Sequence, residues 1–490
     1  MNEKKSLYDI IKENVKDGEL PGTFSLPKED DDDPNKVSWA DGAMDGVSIF
    51  HMGQPDVSDE QIKIIADAFS MLPDNEKAMS RMKDFFAEIS PMSGIDDIQR
   101  YIVDNAQMLD VKQVYSFAVN CVFSSEVNMV KLGLLIIEIF NEPDERVKEI
   151  IRTLGLSDEF TIFSVFNMMT WENGNQEIFE LAKKVHGWGR IHSVERLNPE
   201  TQEIKDWLLA EGIDNYVVRD YSALEVFEKV GIASLLKSKV TDIQLDQIAN
   251  VLDSRFEEGP VRGISALPEN DAKDLIGDFI TQAEKHTLSL DICAILLTIS
   301  DDERFKEYTE RCNAILNSPK SKEMIEKELE SGRAINLAKA TGISYKERIF
   351  AHMKADFENG YGNCDTLLDD EKYREQVIDL FRKSLPIQKM IGKPTTAGGY
   401  SEKYADYNKL AYLIQLLYEY PLCGTDLIIS ALNMPIVRDR VQAIRTISEW
   451  CKAKDCSLSE LSDDLYQAVE HLKATEVDER VTKIIEENGF

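Results

Sequence analysis

Two histidines, a tryptophan and two arginines crowd into the segment His186-Gly187-Trp188-Gly189-Arg190-Ile191-His192-Ser193-Val194-Glu195-Arg196. Imidazole, indole and guanidinium groups this close together suit a polar pocket or a partner-binding patch, because each offers a flat face as well as a hydrogen-bonding edge. They do not suit a metal on one helix face, which needs histidines four residues apart rather than six. Tyr216, Arg219, Asp220 and Tyr221 follow downstream and border the same surface if neighbouring helical units stack side by side. The candidate ligand- or partner-binding residues are therefore His186, Trp188, Arg190, His192, Glu195, Tyr216, Asp220 and Tyr221. The competing reading is architectural: a capped helical hairpin with a tight Gly-Trp-Gly turn, and Arg190 serving the packing between units.

Other chemistry lacks a motif. His51, His286, His352 and His471 are scattered, and there is no His-Glu-x-x-His or Cys-x-x-Cys. Asp41-Gly42 and Asp45-Gly46 read as turns without the ligand spacing of a calcium loop. Gly392-Lys393-Pro394-Thr395 places proline where a phosphate-binding loop needs a hydroxyl, and Gly360-Tyr361-Gly362-Asn363-Cys364-Asp365 lacks the third glycine of a dinucleotide fingerprint. No Gly-x-Ser-x-Gly elbow occurs. No catalytic residue and no metal site is assigned, and no cofactor is evident.

The elements that must position these residues read as helices. Asp144-Glu145-Arg146-Val147 returns as Asp302-Glu303-Arg304-Phe305 and as Asp478-Glu479-Arg480-Val481, each placed to start a helix. Weaker copies stand at Arg190-Ile191, Arg348-Ile349 and Arg440-Val441. Arg146 to Arg190 and Arg304 to Arg348 are both 44 residues, and Arg440 to Arg480 is 40. A unit of about forty residues with two helices is the range of HEAT and armadillo repeats. The interval from Arg190 to Arg304 does not divide by it. Helix-start Asp and Arg residues resemble those of HEAT units, in which they form a polar ladder between neighbours. The expected fold is all-α, an α-solenoid of irregular HEAT-like helical hairpins.

Within that frame, Val111, Val114, Tyr115, Ala118, Cys121 and Val122 form one stripe. Met129 to Phe140 is apolar almost all round, as a buried inner helix would be. Leu7, Ile10, Ile11 and Val15 predict a short opening helix. An irregular stretch from Gly18 to Val57 follows, with the acidic run Glu29 to Asp33; its part Val47-Ser48-Ile49-Phe50 is expected to pack back on the helices. The predicted organisation is an N-terminal helix with acidic segment (1–58), helical repeats (59–258), a hinge (259–270), further repeats (271–385), a loop (386–403) and a last helical region (404–490).

Asp plus Glu outnumber Lys plus Arg by 89 to 56 in 490 residues, a net charge of −33. Such a chain repels nucleic acid and anionic membranes, and favours a basic protein or peptide as partner. Seven cysteines, an odd number with no Cys-x-x-Cys spacing, suit a reducing cytoplasm. Met1 to Leu20 lacks the apolar core of a signal peptide, and the run Leu132 to Phe140 is too short to span a bilayer. A soluble cytoplasmic protein is expected.

Val185 through Leu197, followed by Thr201-Gln202-Glu203-Ile204-Lys205-Asp206-Trp207-Leu208-Leu209, resembles a bacterial family of helical-repeat proteins whose members are often labelled limonene hydroxylase. The resemblance implies an NADH- and oxygen-dependent monooxygenase acting on a monoterpene, and supplies no catalytic residue. The residues themselves lack a haem, flavin or di-iron motif for such a reaction, and leave open a 2-His-1-carboxylate site assembled from distant residues. The first expectation is therefore an α-solenoid scaffold that binds a protein or peptide; the alternative is the hydroxylase.

Overall fold

A computed structural model of the protein describes residues 5–27, 39–53, 58–72, 74–87, 90–256, 258–399 and 402–490. The acidic run Glu29 to Asp33 lies outside the described residues, as do Pro34, Pro55 and Tyr400. The fold is all-helical. Among the described residues the sole β-type pairing is one isolated bridge, Lys16 with Glu19. No helix among them is long and apolar enough to cross a membrane. The chain divides into two compact units, Met1–Cys312 and Asn313–Phe490, with the boundary inside the helix Thr309–Leu316.

In the first unit, a series of helices pack one on the next: Val127–Glu138, Asp158–Met169, Trp188–Arg196, Asp220–Val230, Asp242–Phe256 and Leu290–Asp301. The helices Val111–Cys121, Glu145–Gly155 and Gly174–Ala182 each pack against a member of this series. Local chemistry explains the ends. The Asp144 carboxylate accepts the Val147 N–H at 3.1 Å and so caps Glu145–Gly155. Asp302 caps through Arg304 N–H at 2.9 Å, yet what it starts is a 3-10 helix, Glu303–Tyr308. In the helix Val111–Cys121 the buried face is Val114, Phe117, Ala118 and Cys121, while Val111 faces solvent.

The opening helix is Leu7–Asn14. Asp45-Gly46 is not the turn read from its sequence: it lies inside the helix Ala43–Val47, which runs on as one π-turn, Ser48–Met52. The segment 258–270 lies inside the first unit, where Glu258 accepts the N–H groups of Gly263 and Ser265, each at 3.1 Å.

The second unit centres on Val437–Lys454, against which Ala405–Leu416, Thr425–Leu432 and Glu479–Glu487 pack. Its loop 391–399 is pinned by Gly392 N–H to Asn433 carbonyl (3.1 Å) and Thr395 N–H to Pro435 carbonyl (3.0 Å). Arg440 is fully buried. It spends its guanidinium on Glu476 (2.6 and 2.9 Å) and on the carbonyls of Met434 (3.0 Å) and Thr395 (2.9 Å).

Candidate functional site

Trp188 opens the helix Trp188–Arg196 and is 4 % exposed. Its flanking glycines have a specific cause. The Asp158 carboxylate caps this helix, taking the Gly189 N–H at 3.1 Å together with those of Gly187 and Trp188. A Cβ on Gly187 would sit 2.0 Å from Asp158 Oδ2, and one on Gly189 would sit 2.6 Å from Oδ1. Gly-Trp-Gly is thus the mould of the Asp158 carboxylate at the start of the helix Asp158–Met169. Burial pushes the Asp158 carboxyl up to about 6, helped by Asp41 and opposed by the three N–H groups.

The segment 39–53 lies on the face of Trp188. The helix Ala43–Val47 approaches so closely that a Cβ on Gly46 would fall 2.1 Å from the indole ring. Ala43, Trp188, Ile191 and Tyr221 form one buried cluster, with Val47, Phe50 and Val261 packed on it. The Phe50 ring centroid lies 4.9 Å from that of Tyr221 and 6.1 Å from that of Trp188, and it stacks on His192 at 6.3 Å. His51 Nε2 lies 2.6 Å from the Tyr221 hydroxyl. The π-turn Ser48–Met52 carries both Phe50 and His51 into this aromatic cluster.

A buried ion cluster fixes the same segment. Lys131, the one charged side chain in the run of nine buried residues Met129–Ile137, extends its ammonium to Asp45 Oδ2 at 2.7 Å and to the Glu159 carboxylate. Ser90 Oγ donates to Asp45 Oδ1 at 2.9 Å, and the Gly42 N–H donates to Glu159 Oε2 at 2.7 Å. Burial alone would drive Lys131 toward neutrality; the Glu159 and Asp45 charges reverse this and raise its pKa. Backbone, hydroxyl and ammonium groups together satisfy the carboxylate oxygens, as a buried charge cluster requires.

Of the candidate residues, Trp188, His192 and Tyr221 converge in the cluster. Asp220 is buried beside Tyr221 in the first turn of the helix Asp220–Val230. Arg190 points elsewhere: Nε donates to the Val185 carbonyl (2.7 Å), Nη1 donates to the Glu211 carbonyl (3.0 Å), and the guanidinium lies over Trp207. It ties its own helix start to the end of Gln202–Glu211. His186 and Tyr216 stack on each other at 5.3 Å outside the cluster, Tyr216 being 76 % exposed. Glu195 pairs with Arg196 and stands 3.7 Å from His192 Nδ1, beyond hydrogen-bond range.

His192 is 1 % exposed, and neither ring nitrogen has a hydrogen-bond partner among the described residues. Burial, the largest influence, lowers its pKa; Glu195 opposes this and Arg196 reinforces it. With its folded pKa below the ordinary value, His192 costs nothing above that value and destabilises the fold as pH falls below it. Asp158 acts oppositely: its raised pKa withdraws stability as pH climbs from about 4 to about 6. His192→Phe keeps a ring against Phe50 and removes the acid-sensitive limb. Its hydrogen exchange over 188–196 should therefore be less accelerated than wild type on acidification from about pH 7.5 to about pH 5, after correction for intrinsic exchange; equal acceleration would assign the sensitivity elsewhere.

Phe50, His51, Asp45, Lys131, Asp158 and Glu159 were not among the candidates. The signal for Phe50 was present in Val47-Ser48-Ile49-Phe50, and that for Lys131 in its isolation within an apolar helix. Comparison with known proteins gives no match: no family model, no curated protein and no solved structure matches the chain.

Beside the cluster, a cavity of about 90 Å³ is lined by Phe24, Asp41, Ser157, Asp158, His186 and Tyr216 among others, well below the ~300 Å³ at which small-molecule sites begin. A depression of about 450 Å³ borders Gln202, Lys205, Asp206, Lys229 and Gln244. Its Lys229 ammonium is already engaged by the Val194 and Glu195 carbonyls. No group of three or more His, Cys, Asp or Glu residues among those described is placed to hold a metal.

Proposed function

We propose that the protein is a cytoplasmic α-solenoid scaffold that binds a protein or peptide partner. One observation carries this reading: the series of helices in the first unit already holds a peptide-like segment, 39–53, through shape at Gly46, aromatic contact at Phe50 and a buried charge at Asp45. This is helix-in-groove recognition used within one chain. Sequential packing of these helices supports the solenoid, and seven free cysteines support a reducing compartment. The acidic surface favours a basic partner for the assembled face, since net charge steers encounter at long range.

The test uses the full chain carrying Gly46→Val, which removes the segment from Trp188 by collision with the ring. A labelled peptide spanning Trp39–Gly53 is expected to bind this variant and not the wild type, and a peptide carrying Gly46→Val is expected to bind neither. Equal anisotropy for both peptides would overturn the groove reading. The alternative by resemblance, monoterpene hydroxylation, gains no support from the geometry around Trp188. Limonene turnover by the purified chain with NADH and oxygen would establish it in place of the scaffold.

A further inference from the structure

Two cysteines share one helix end in the second unit. The helix Val437–Lys454 stops at Asp455, a non-glycine residue in the left-handed region (φ 51°, ψ 48°). Two backbone bonds close the end: Asp455 N–H donates to the Lys452 carbonyl at 3.2 Å, and Cys456 N–H donates to the Cys451 carbonyl at 3.1 Å. This nested pair is the Schellman arrangement, in which the side chains bracketing the outer bond touch and normally form an apolar contact. Here the two contact positions are Cys451 and Cys456.

Both thiols are free and half-buried, so each is reachable from solvent. Burial raises the Cys451 pKa, and the neighbouring Cys456 raises it further, which places the two sulfurs within electrostatic reach. The 3.1 Å bond from the Cys456 N–H to the Cys451 carbonyl joins the two backbones directly, the kind of close approach that a disulfide, with its Cα atoms ~4.4–6.8 Å apart, requires. The remaining thiols differ: Cys121, Cys293, Cys312 and Cys364 are buried, and half-buried Cys423 belongs to a separate turn.

We propose that Cys451 and Cys456 are a reversible redox clasp, closing to a disulfide in the folded chain when a low-molecular-weight disulfide oxidises them. Either cysteine can open the exchange. With Cys456 first, its thiolate forms a mixed disulfide and releases one small thiolate. Cys451 then attacks Cys456 Sγ and expels the second. Two electrons pass from the cysteine pair to the oxidant, and the two cysteine protons end on the two released thiols. Closure spans the turn between Val437–Lys454 and Leu458–Leu461, which otherwise rests on a strained Asp455 and the Ser457–Glu460 capping box. The oxidised clasp holds this joint against fraying.

The experiment incubates the native full chain with oxidised glutathione, blocks remaining thiols with N-ethylmaleimide in denaturant, and cleaves after glutamate. Cutting at Glu449 and Glu460 yields the fragment Trp450–Glu460, which carries both thiols. The expected wild-type fragment is unblocked and lighter by two hydrogens, and it regains both thiols with dithiothreitol. In Cys451→Ser the fragment should instead retain one glutathione on Cys456. A wild-type fragment with both thiols blocked, one that keeps glutathione, or one cross-linked to Cys423 would overturn the clasp. Far-ultraviolet circular dichroism during oxidation separates closure in the folded chain from closure after unfolding, and closure confined to unfolded chain would overturn it equally.

Discussion

Replacing Lys131 with methionine is expected to destabilise the first unit by about 3–5 kcal/mol, the cost of leaving a buried carboxylate without its counter-ion. The ammonium and the Asp45 carboxylate are each 3 % exposed, so water cannot take over the lost partner. Methionine keeps most of the side-chain volume and so isolates the charge from the packing. Three outcomes of the loss are open to the chain: Asp45 takes up a proton, Glu159 does, or the segment 39–53 leaves its seat. All three loosen the contact at Trp188. Faster hydrogen exchange over 42–51, 127–138 and 158–169 reads the effect locally, which matters because one unfolding free energy is ill-defined for a chain of two units. Asp45→Asn in the Lys131→Met background should recover part of the loss, since it deletes the stranded charge. Unchanged protection in all three segments would show that the cluster is not what seats the segment 39–53.

A cluster of this kind adds little net stability over a well-packed apolar replacement, because desolvation consumes most of its attraction. Its effect is on register. Glu159 meets both Lys131 and the Gly42 N–H, while Asp45 meets both Lys131 and Ser90. Sliding the segment by one helical residue would strand a buried charge. That is why a short helix whose own apolar contacts are few can hold Gly46 against an indole ring.

These relations also mark how far the residues could be read in advance. Helical stripes and Asp caps are local signals, so Asp144, Asp302 and Asp478 were legible as helix starts, and the aromatic character of Trp188 and Tyr221 flagged part of the site. Lys131, the one charge among nine buried positions, implies a buried counter-ion, a signal that reading the helix as apolar passed over. Which acid would serve was hidden among 89 Asp and Glu residues, and the answer came from Asp45 in a stretch read as turns. Asp158 was invisible for a similar reason: its three N–H partners belong to a helix start some thirty residues on, brought near only when neighbouring helices pack. Arg190 shared the phase of the repeat, but phase does not say where a guanidinium points. It grips the Val185 carbonyl and the end of the next helix, as Arg440 grips Met434 and Glu476.

Asp439→Asn is expected to stabilise the second unit at alkaline pH and to leave it nearly unchanged in acid. Asp439 is 1 % exposed in the first turn of Val437–Lys454, and its Oδ1 has no hydrogen-bond partner among the described residues. The cations beside it are committed elsewhere. Arg440 is spent on Glu476 and two carbonyls, and Arg438 donates to Asn408 Oδ1 at 3.1 Å. Tyr407 faces it from Ala405–Leu416 and donates its hydroxyl to the Met390 carbonyl at 3.1 Å. Burial therefore dominates and pushes the carboxyl up to about 7, against its own backbone N–H and the two arginines. A folded pKa above the unfolded one means that the native state holds the extra proton between the two values. Stability is then highest below about 4 and falls as pH rises to about 7, after which the penalty is constant at a few kcal/mol. Asparagine never ionises and escapes that penalty. It loses the favourable interaction of a carboxylate with the helix N-terminus and must place its own amide, so the net gain near pH 8 should be about 1–3 kcal/mol. Hydrogen exchange over 437–454 measured from about pH 5 to about pH 8, corrected for intrinsic rates, should show protection that falls with pH in wild type and stays level in the variant. Parallel slopes would place the charge on Asp439 in a solvated or paired state and remove it as a source of pH sensitivity.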